Sequence, residues 1–217
     1  MSLLSNEGMS PGIAQPFPGG IAAGASVRTP CGLRRIEMLR PGDLVVTRDN
    51  GLQPVRRIWS RSVPVAEMLA DRRRAPICFR ARALGPMLPA RRIMLAPEQR
   101  LLVPGYRLAG QQESAGCLVA AGDLAESAQD IARDILAASP GRKLRYFVLL
   151  FDSHQLFCAD GLPVESFLAT AGAVRRLRQD LRADLLDLFP QLRLDPNACA
   201  PVPYKVLKGA QYIPDRA

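Results

Sequence analysis

The chain contains one histidine, His154, within the stretch FDSHQLFCADG at residues 151–161. Acid–base or metal chemistry at neutral pH usually needs an imidazole, so His154 is the first candidate for a chemical role. The five cysteines, at positions 31, 78, 117, 158 and 199, are scattered, and no pair has the C-x-x-C spacing of a zinc site. The sequence therefore predicts no bound metal or cofactor, and reduced, mostly buried thiols.

Arginine dominates the charge of this chain. The net charge is +9, and only three of the 29 basic residues are lysines. Clusters at Arg56-Arg57, Arg72–Arg74, Arg91-Arg92 and Arg175-Arg176 leave nucleic-acid binding open as an alternative. Aromatic residues make up 6% of the chain, and no helix-turn-helix or zinc-finger spacing is present. This composition favours a solvated basic surface over a nucleic-acid interface.

Short strands are the elements that would position these residues. ASVRTPCGLRRIE predicts two strands around a turn at residues 30–32. DLVVTRDNGLQPVRRIW predicts a hairpin closed by a two-residue type I′ turn at Asn50-Gly51. PICFRA, RRIMLAPEQRLLV and LRYFVLLFDSHQLFCADG continue the strand pattern. Many short strands joined by tight turns predict an all-β body.

The remaining segments predict two helices and two irregular ends. We expect residues 1–19 to form a flexible leader and residues 20–168 to form the folded domain. Within it, the spacing of apolar residues predicts an inserted helix over 123–138, with Asp123 as its N-cap. Residues 169–217 predict a C-terminal helix at 177–189, ended by Pro190, and an extended trailer that packs on the domain.

Localisation signals are not evident in the sequence. No apolar run approaches the roughly 20 residues of a membrane span. No basic residue precedes Arg28, and prolines interrupt the N-terminal segment, which is unlike a signal peptide. The default prediction is therefore a cytoplasmic protein without a membrane segment.

Two hairpin-like segments of the chain resemble each other. RIMLAPEQRLLV (92–103) and FVLLFDSHQLFC (147–158) align without a gap, and Gln99 falls opposite His154. Each reads as an apolar strand, a short polar turn and a second apolar strand. Such a match is what a fold built from two related halves would produce.

The same segments carry a resemblance to a known family. GASVRTPCGLRRIEMLRPGDLVVTRDNGLQPVRRIW resembles the opening of a Hint domain, the module shared by Hedgehog autoprocessing domains and inteins. The bacterial branch of that family is the most similar, through ICFRARALGPMLPARRIMLAPEQRLLV and YFVLLFDSHQLFCADGLPVESF. The resemblance implies a horseshoe-like β fold with pseudo-two-fold symmetry. It also implies self-cleavage or protein splicing as the family's activity.

The resemblance assigns the catalytic positions of this sequence. In the family, a first-residue Cys or Ser attacks the preceding carbonyl, and a Thr/Ser-x-x-His motif positions and protonates the scissile amide. Here Gly20 of GIAAGA stands at the nucleophile position, and Ala96 and Gln99 stand at the motif's threonine and histidine. His154 matches a family histidine near the last strands. Glycine offers no attacking group, and glutamine transfers no proton at neutral pH.

The sequence thus predicts a degenerate Hint domain, a pseudoenzyme that serves as a binding or scaffolding module for a protein partner it does not identify. Losing one member of a coupled nucleophile–base unit typically abolishes most of the activity, and here several are missing. The enzyme-class alternative is residual autoproteolysis through Ser26 or Cys31, assisted by His154. We otherwise expect His154 to be a half-buried strand residue bonded to a backbone carbonyl or to Asp152.

The two glutamates near these positions, Glu98 and Glu165, are predicted to be isolated acids. Their spacing argues for no carboxylate pair. The Glu165-Ser166 pair stands where inteins end in His-Asn, so no asparagine is present to cyclise and full splicing is not expected. The sequence leaves the oligomeric state open.

Overall fold

The computed structural model of the chain describes residues 17–71, 74–111, 116–124, 136–138, 141–195, 198, 203–209 and 213. It confirms the predicted mostly-β fold. The strands are β1 Ile21–Ala22, β2 Ser26–Thr29, β3 Gly32–Arg35, β4 Leu44–Val46, β5 Leu52–Pro54, β6 Arg57–Pro64, β7 Ile77–Phe79, β8 Ile93–Leu95, β9 Arg100–Pro104, β10 Gly116–Ala120, β11 Lys143–Leu150, β12 Leu156–Ala159, β13 Leu162–Glu165 and β14 Lys205–Leu207.

Four α-helices accompany these strands in the described part of the chain. They are α1 Val65–Ala70, α2 Ala121–Leu124, α3 Ala171–Arg176 and α4 Gln179–Leu188, with 3₁₀ turns at Ile36–Met38, Gly105–Arg107 and Pro190–Arg193. None of these helices is both long and apolar enough to cross a membrane. Parts of several predictions lie outside the described residues, namely residues 1–16 of the leader, Arg72, Arg73, residues 125–135 of the inserted helix, and Cys199.

Two sheets form the body, and their central strands are arranged alike. One has the order β6-β11-β1-β8-β7 and the other β14-β10-β9-β13-β12-β2-β3. In the first sheet β1 lies between β8 and β11, and in the second β13 lies between β9 and β12. The chain passes from β8 to β9 and from β11 to β12, so the two aligned hairpin-like segments cross between sheets in the same way. This is the predicted pseudo-two-fold relation.

The hydrophobic core lies where the strands of both sheets present their apolar faces. Side chains that are almost inaccessible to solvent come from both sheets and include Val27, Leu95, Leu101, Phe157 and Val164. Because adjacent residues of a strand point to opposite faces, this alternation fixes the register of each strand. The register pairs Ile21 of β1 with Leu95 at the end of β8 and with Phe147 in the middle of β11.

The hairpin at Asn50-Gly51 forms, but the predicted turn type is wrong. Strands β4 and β5 pair antiparallel, as expected. A type I′ turn needs positive φ at both central residues, whereas of these two only Gly51 has it, at +64°. The loop is instead longer, because the Thr47 amide donates to the Gly51 carbonyl at 2.8 Å and the Thr47 hydroxyl accepts from the Asn50 amide at 3.3 Å.

The C-terminal region packs on the body. Helix α4 confirms the predicted C-terminal helix and buries Leu185, while Trp59 of β6 donates its indole hydrogen to Asp184 of α4 at 2.7 Å. Strand β14 adds to the second sheet as a parallel neighbour of β10. Helix α3 was not predicted, since its sequence AGAVRR lacks a strong apolar period.

The predicted cap of the inserted helix is wrong. Asp123 lies inside α2, which begins two residues earlier at Ala121. Its carboxylate instead accepts a hydrogen bond from the Gly209 amide at 2.9 Å, beside β14. The Asp123 side chain is therefore hydrogen-bonded to a backbone amide far along the chain. A pattern in neighbouring residues does not predict such a contact.

Candidate functional site

The structure brings Gly20, Ala96 and Gln99 together. The Ala96 amide donates to the Gly20 carbonyl at 2.9 Å, and the Gln99 side-chain Oε1 accepts from the Gly20 amide at 3.0 Å. Strand β8 ends just before Ala96, and Pro97 has no amide hydrogen to continue a strand ladder. The chain turns there, with the Gln99 amide donating to the Ala96 carbonyl at 3.0 Å. This turn points the Gln99 side chain at the Gly19–Gly20 peptide bond.

The orientation of the Gln99 carboxamide is fixed by its other partners. Its Nε2 donates to the Glu165 carbonyl at 2.9 Å and to the Arg100 carbonyl at 3.0 Å. Two carbonyl acceptors require the nitrogen on that side, so the oxygen must face Gly20. Gln99 is 6% exposed, which makes this a buried and fully hydrogen-bonded amide. It links β1, β9 and β13.

Gly19 and Gly20 adopt backbone conformations that side chains rarely tolerate. Their φ angles are +82° and +139°. A Cβ placed on Gly20 would lie 2.9 Å from the Cβ of Tyr146, closer than such atoms approach in proteins. A Cβ on Gly19 would lie 3.1 Å from the Gln99 Oε1. Tyr146 and Gln99 therefore enclose this peptide bond, and glycine is the residue that fits.

His154 lies in the loop between β11 and β12, and its side chain is 5% exposed. Its Nε2 hydrogen-bonds to Glu165 Oε1 at 2.9 Å. The expected partner Asp152 is instead paired with Arg56 at 3.0 Å. The prediction of a half-buried residue is confirmed, but those of a strand position and of an Asp152 or backbone partner are wrong, because β13 brings Glu165 against the loop.

Glu165 is the residue whose importance the sequence did not indicate. Its carboxylate contacts His154 and also Arg100, whose Nη1 lies 3.1 Å from the same Oε1. Its side chain is only 6% exposed, and its backbone carbonyl accepts from Gln99. The prediction of an isolated acid is wrong for Glu165. A buried carboxylate needs such partners, because an unpaired buried charge is strongly unfavourable.

Gln99 and His154 occupy equivalent positions of the two related hairpin-like segments, and both side chains reach Glu165. Gln99 reaches its backbone carbonyl and His154 its carboxylate. The gapless alignment indicated the equivalence of the two positions. It did not indicate where they meet, because β13 follows both segments in the chain and inserts between β9 and β12.

Tyr146 and Glu98 complete the surroundings of Gly20. The Tyr146 hydroxyl is buried without a hydrogen-bond partner among the described residues. Burial and the nearby negative charge of Glu98 raise the pKa of Tyr146 well above its usual range. Burial also raises the pKa of Glu98, against the opposing effect of Arg61. Both groups therefore favour their neutral forms more than they would in water.

The two alternative nucleophiles lie elsewhere. Ser26 is 5% exposed within β2, where its carbonyl accepts from the Asp160 amide at 2.8 Å. Cys31 is an exposed thiol at the tip of the β2–β3 hairpin. Neither forms a hydrogen bond with Gly20, Gln99 or His154 in the described structure. Among the described residues, no three Cys, His, Asp or Glu side chains are grouped so that they could hold a metal ion.

Comparison with known proteins agrees with this architecture. The family model of the Hint domain matches residues 20–171, and the chain therefore belongs to the Hint domain family. The match begins at Gly20, the residue whose amide is bonded to Gln99. No curated protein matches the chain.

Proposed function

We propose that this Hint domain does not cleave itself and that it acts as a binding or scaffolding module. The observation that carries the proposal is the packing at Gly20. A family nucleophile at this position would need a side chain, and a Cβ there would overlap the Cβ of Tyr146 at 2.9 Å. That atom is fixed to the β11 backbone, so it cannot rotate away as the end of a long side chain could.

The hydrogen bond between Gly20 and Gln99 supports the same proposal. To leave, the amide nitrogen of a scissile bond must receive a proton from a donor. Here the Gly20 amide is itself the donor, and the atom that faces it is the Gln99 oxygen. A carboxamide has no proton to transfer at neutral pH. The group at the motif-histidine position thus cannot protonate the Gly20 nitrogen.

His154 fits a positioning role in this proposal. Its imidazole is engaged with the Glu165 carboxylate, and Glu165 in turn is held by Arg100 and by Gln99. We expect His154 to stabilise the position of β13 beside β9. It has no nucleophile to activate within hydrogen-bond distance in the described structure.

The test is a measurement of the intact mass of the full chain after incubation with dithiothreitol or hydroxylamine. These two reagents release acyl groups from a thioester or an ester. We expect the mass to remain that of the whole chain. Loss of a fragment corresponding to residues 1–19 would refute the proposal. Fragments that disappear in His154→Ala would instead favour the alternative of residual autoproteolysis.

A set of variants distinguishes the absence of a nucleophile and a proton donor from the lack of room for a side chain at position 20. Gly20→Cys with Gln99→His supplies a nucleophile and a proton donor, and adding Tyr146→Gly removes the overlapping Cβ. We expect only the triple variant to release the leader. Thiol-dependent cleavage by the double variant would show that Tyr146 does not block the position.

A further inference from the structure

A cavity of about 450 Å³ opens beside the Gly19–Gly20 peptide bond. Its volume lies within the range of small-molecule sites, roughly 300–1,000 Å³. Phe17, Gln99 and Phe167 form its inner wall. Helix α3, Leu177 and the end of β14 form the outer wall. Most of that outer wall follows residue 171, where the Hint match ends, so the cavity is completed by a part of the chain beyond that match.

The walls are mainly apolar. Carbon-rich side chains reach the cavity from five parts of the chain, and they are Phe17, Val148, Phe167, Leu168, Leu177 and Leu207. Several of them also belong to the hydrophobic cluster between β6, β11 and the C-terminal helices. An apolar ligand body would therefore gain free energy by leaving water for this space.

Two cations at the cavity have no acidic partner. Arg176 of α3 and Lys208, just after β14, both line it, and neither forms an ion pair with another described residue. The acids that line the cavity are engaged differently. Glu165 is ion-paired with Arg100 and hydrogen-bonded to His154, and the Asp123 carboxylate accepts from the Gly209 amide.

The third acid is Glu98, which precedes Gln99 of the inner wall, and burial raises its pKa. Arg176 and Lys208 are thus the two cations of the outer wall that no ion pair among the described residues engages. From this geometry we infer that the cavity binds a small molecule with an apolar chain and a carboxylate head. The head would lie toward Arg176 and Lys208, and the chain would contact Phe17 and Phe167.

The fluorescence of Trp59 can report on binding in this cavity. Trp59 is the single tryptophan, and its ring packs edge-on against Phe167 with centroids 4.9 Å apart. Because Phe167 lines the cavity, a ligand that enters it will alter the surroundings of the indole. Decanoate is a suitable probe, with decyltrimethylammonium as a probe that has a similar chain and the opposite charge.

The experiment is a fluorescence titration of the full chain with both probes at neutral pH. We expect saturable binding of decanoate and weaker binding of the cationic probe. Arg176→Gln and Lys208→Gln should each lower the affinity for decanoate by up to about fivefold, which is the effect of losing one partly exposed ion pair. Arg175→Gln is the matched control, since Arg175 lies next in sequence on α3 and does not line the cavity.

A further variant tests whether binding needs the volume of the cavity, with the charges of Arg176 and Lys208 unchanged. Ala173 lines the cavity from α3, and Ala173→Leu should reduce decanoate binding with both cations still present. Equal affinity for the two probes, or equal effects of Arg175→Gln and Arg176→Gln, would overturn the inference. So would the absence of saturable decanoate binding by a chain with native circular dichroism. This result is independent of the proposed lack of self-cleavage, which intact mass measures separately.

Discussion

Replacing Gln99 by leucine provides the most informative test of the site. The change keeps a side chain of similar size but removes the acceptor for the Gly20 amide and the donors for the Glu165 and Arg100 carbonyls. Gln99 is 6% exposed, so water cannot readily replace these bonds. Leaving a buried polar group unsatisfied costs about 1–3 kcal/mol. We therefore expect Gln99→Leu to lower the free energy of unfolding by about 2–4 kcal/mol, because more than one group is affected.

The assay is urea unfolding followed by the fluorescence of Trp59 and by circular dichroism, with the free energy obtained by linear extrapolation. Gln53→Leu is the matched control, because the Gln53 side chain donates a 2.7 Å hydrogen bond to the Asn50 carbonyl in an exposed hairpin. We expect that control to change stability by less than about 0.5 kcal/mol. If Gln99→Leu and Gln53→Leu have the same small effect, Gln99 does not hold β1, β9 and β13 together.

Three further predictions concern packing and charge. Gly20→Ala should destabilise the chain by about 1–3 kcal/mol more than Gly42→Ala in urea unfolding, because both have positive φ but only Gly20 lacks room for a Cβ; equal effects would contradict the overlap. The pKa of Glu98 is raised in the folded state, so its ionisation removes stability as pH rises from near 4.5. Glu98→Gln should therefore stabilise at neutral pH and lose that advantage in acid; a constant difference across pH would exclude this. Leu185→Ala, at a fully buried site, should cost about 2–4 kcal/mol, whereas Leu194→Ala, 92% exposed, should have little effect on the melting transition.

Local patterns were sufficient to predict most of the strands. Turn residues and β-branched runs indicated the β2–β3 and β4–β5 hairpins, whose pairs are local in sequence. The gapless match of 92–103 with 147–158 anticipated the relation between the two halves. The detail of the loop at Gly51 was missed, because the Thr47 hydroxyl closes it through contacts that the Asn-Gly pattern does not encode.

The site was only partly predictable. Gly20, Ala96 and Gln99 were identified through resemblance, and the structure places them in direct hydrogen-bond contact. Glu165 was missed because its partners arise from strand order: β13 inserts between β9 and β12, and nothing in a short sequence window reports this. The cavity was missed for the same reason, since its outer wall comes from segments far along the chain.

Both ends of the described chain meet at one place. Residues 17–19 and 206–208 line the same cavity, and β14 is attached to the second sheet by three residue pairs with β10. When the chain is pulled at its C-terminal end, tension therefore reaches β14 before it reaches β10 and the rest of the second sheet. We expect this short parallel strand to detach from β10 first under such a load, and a compound that bridges its end to the segment before β1 to oppose that detachment.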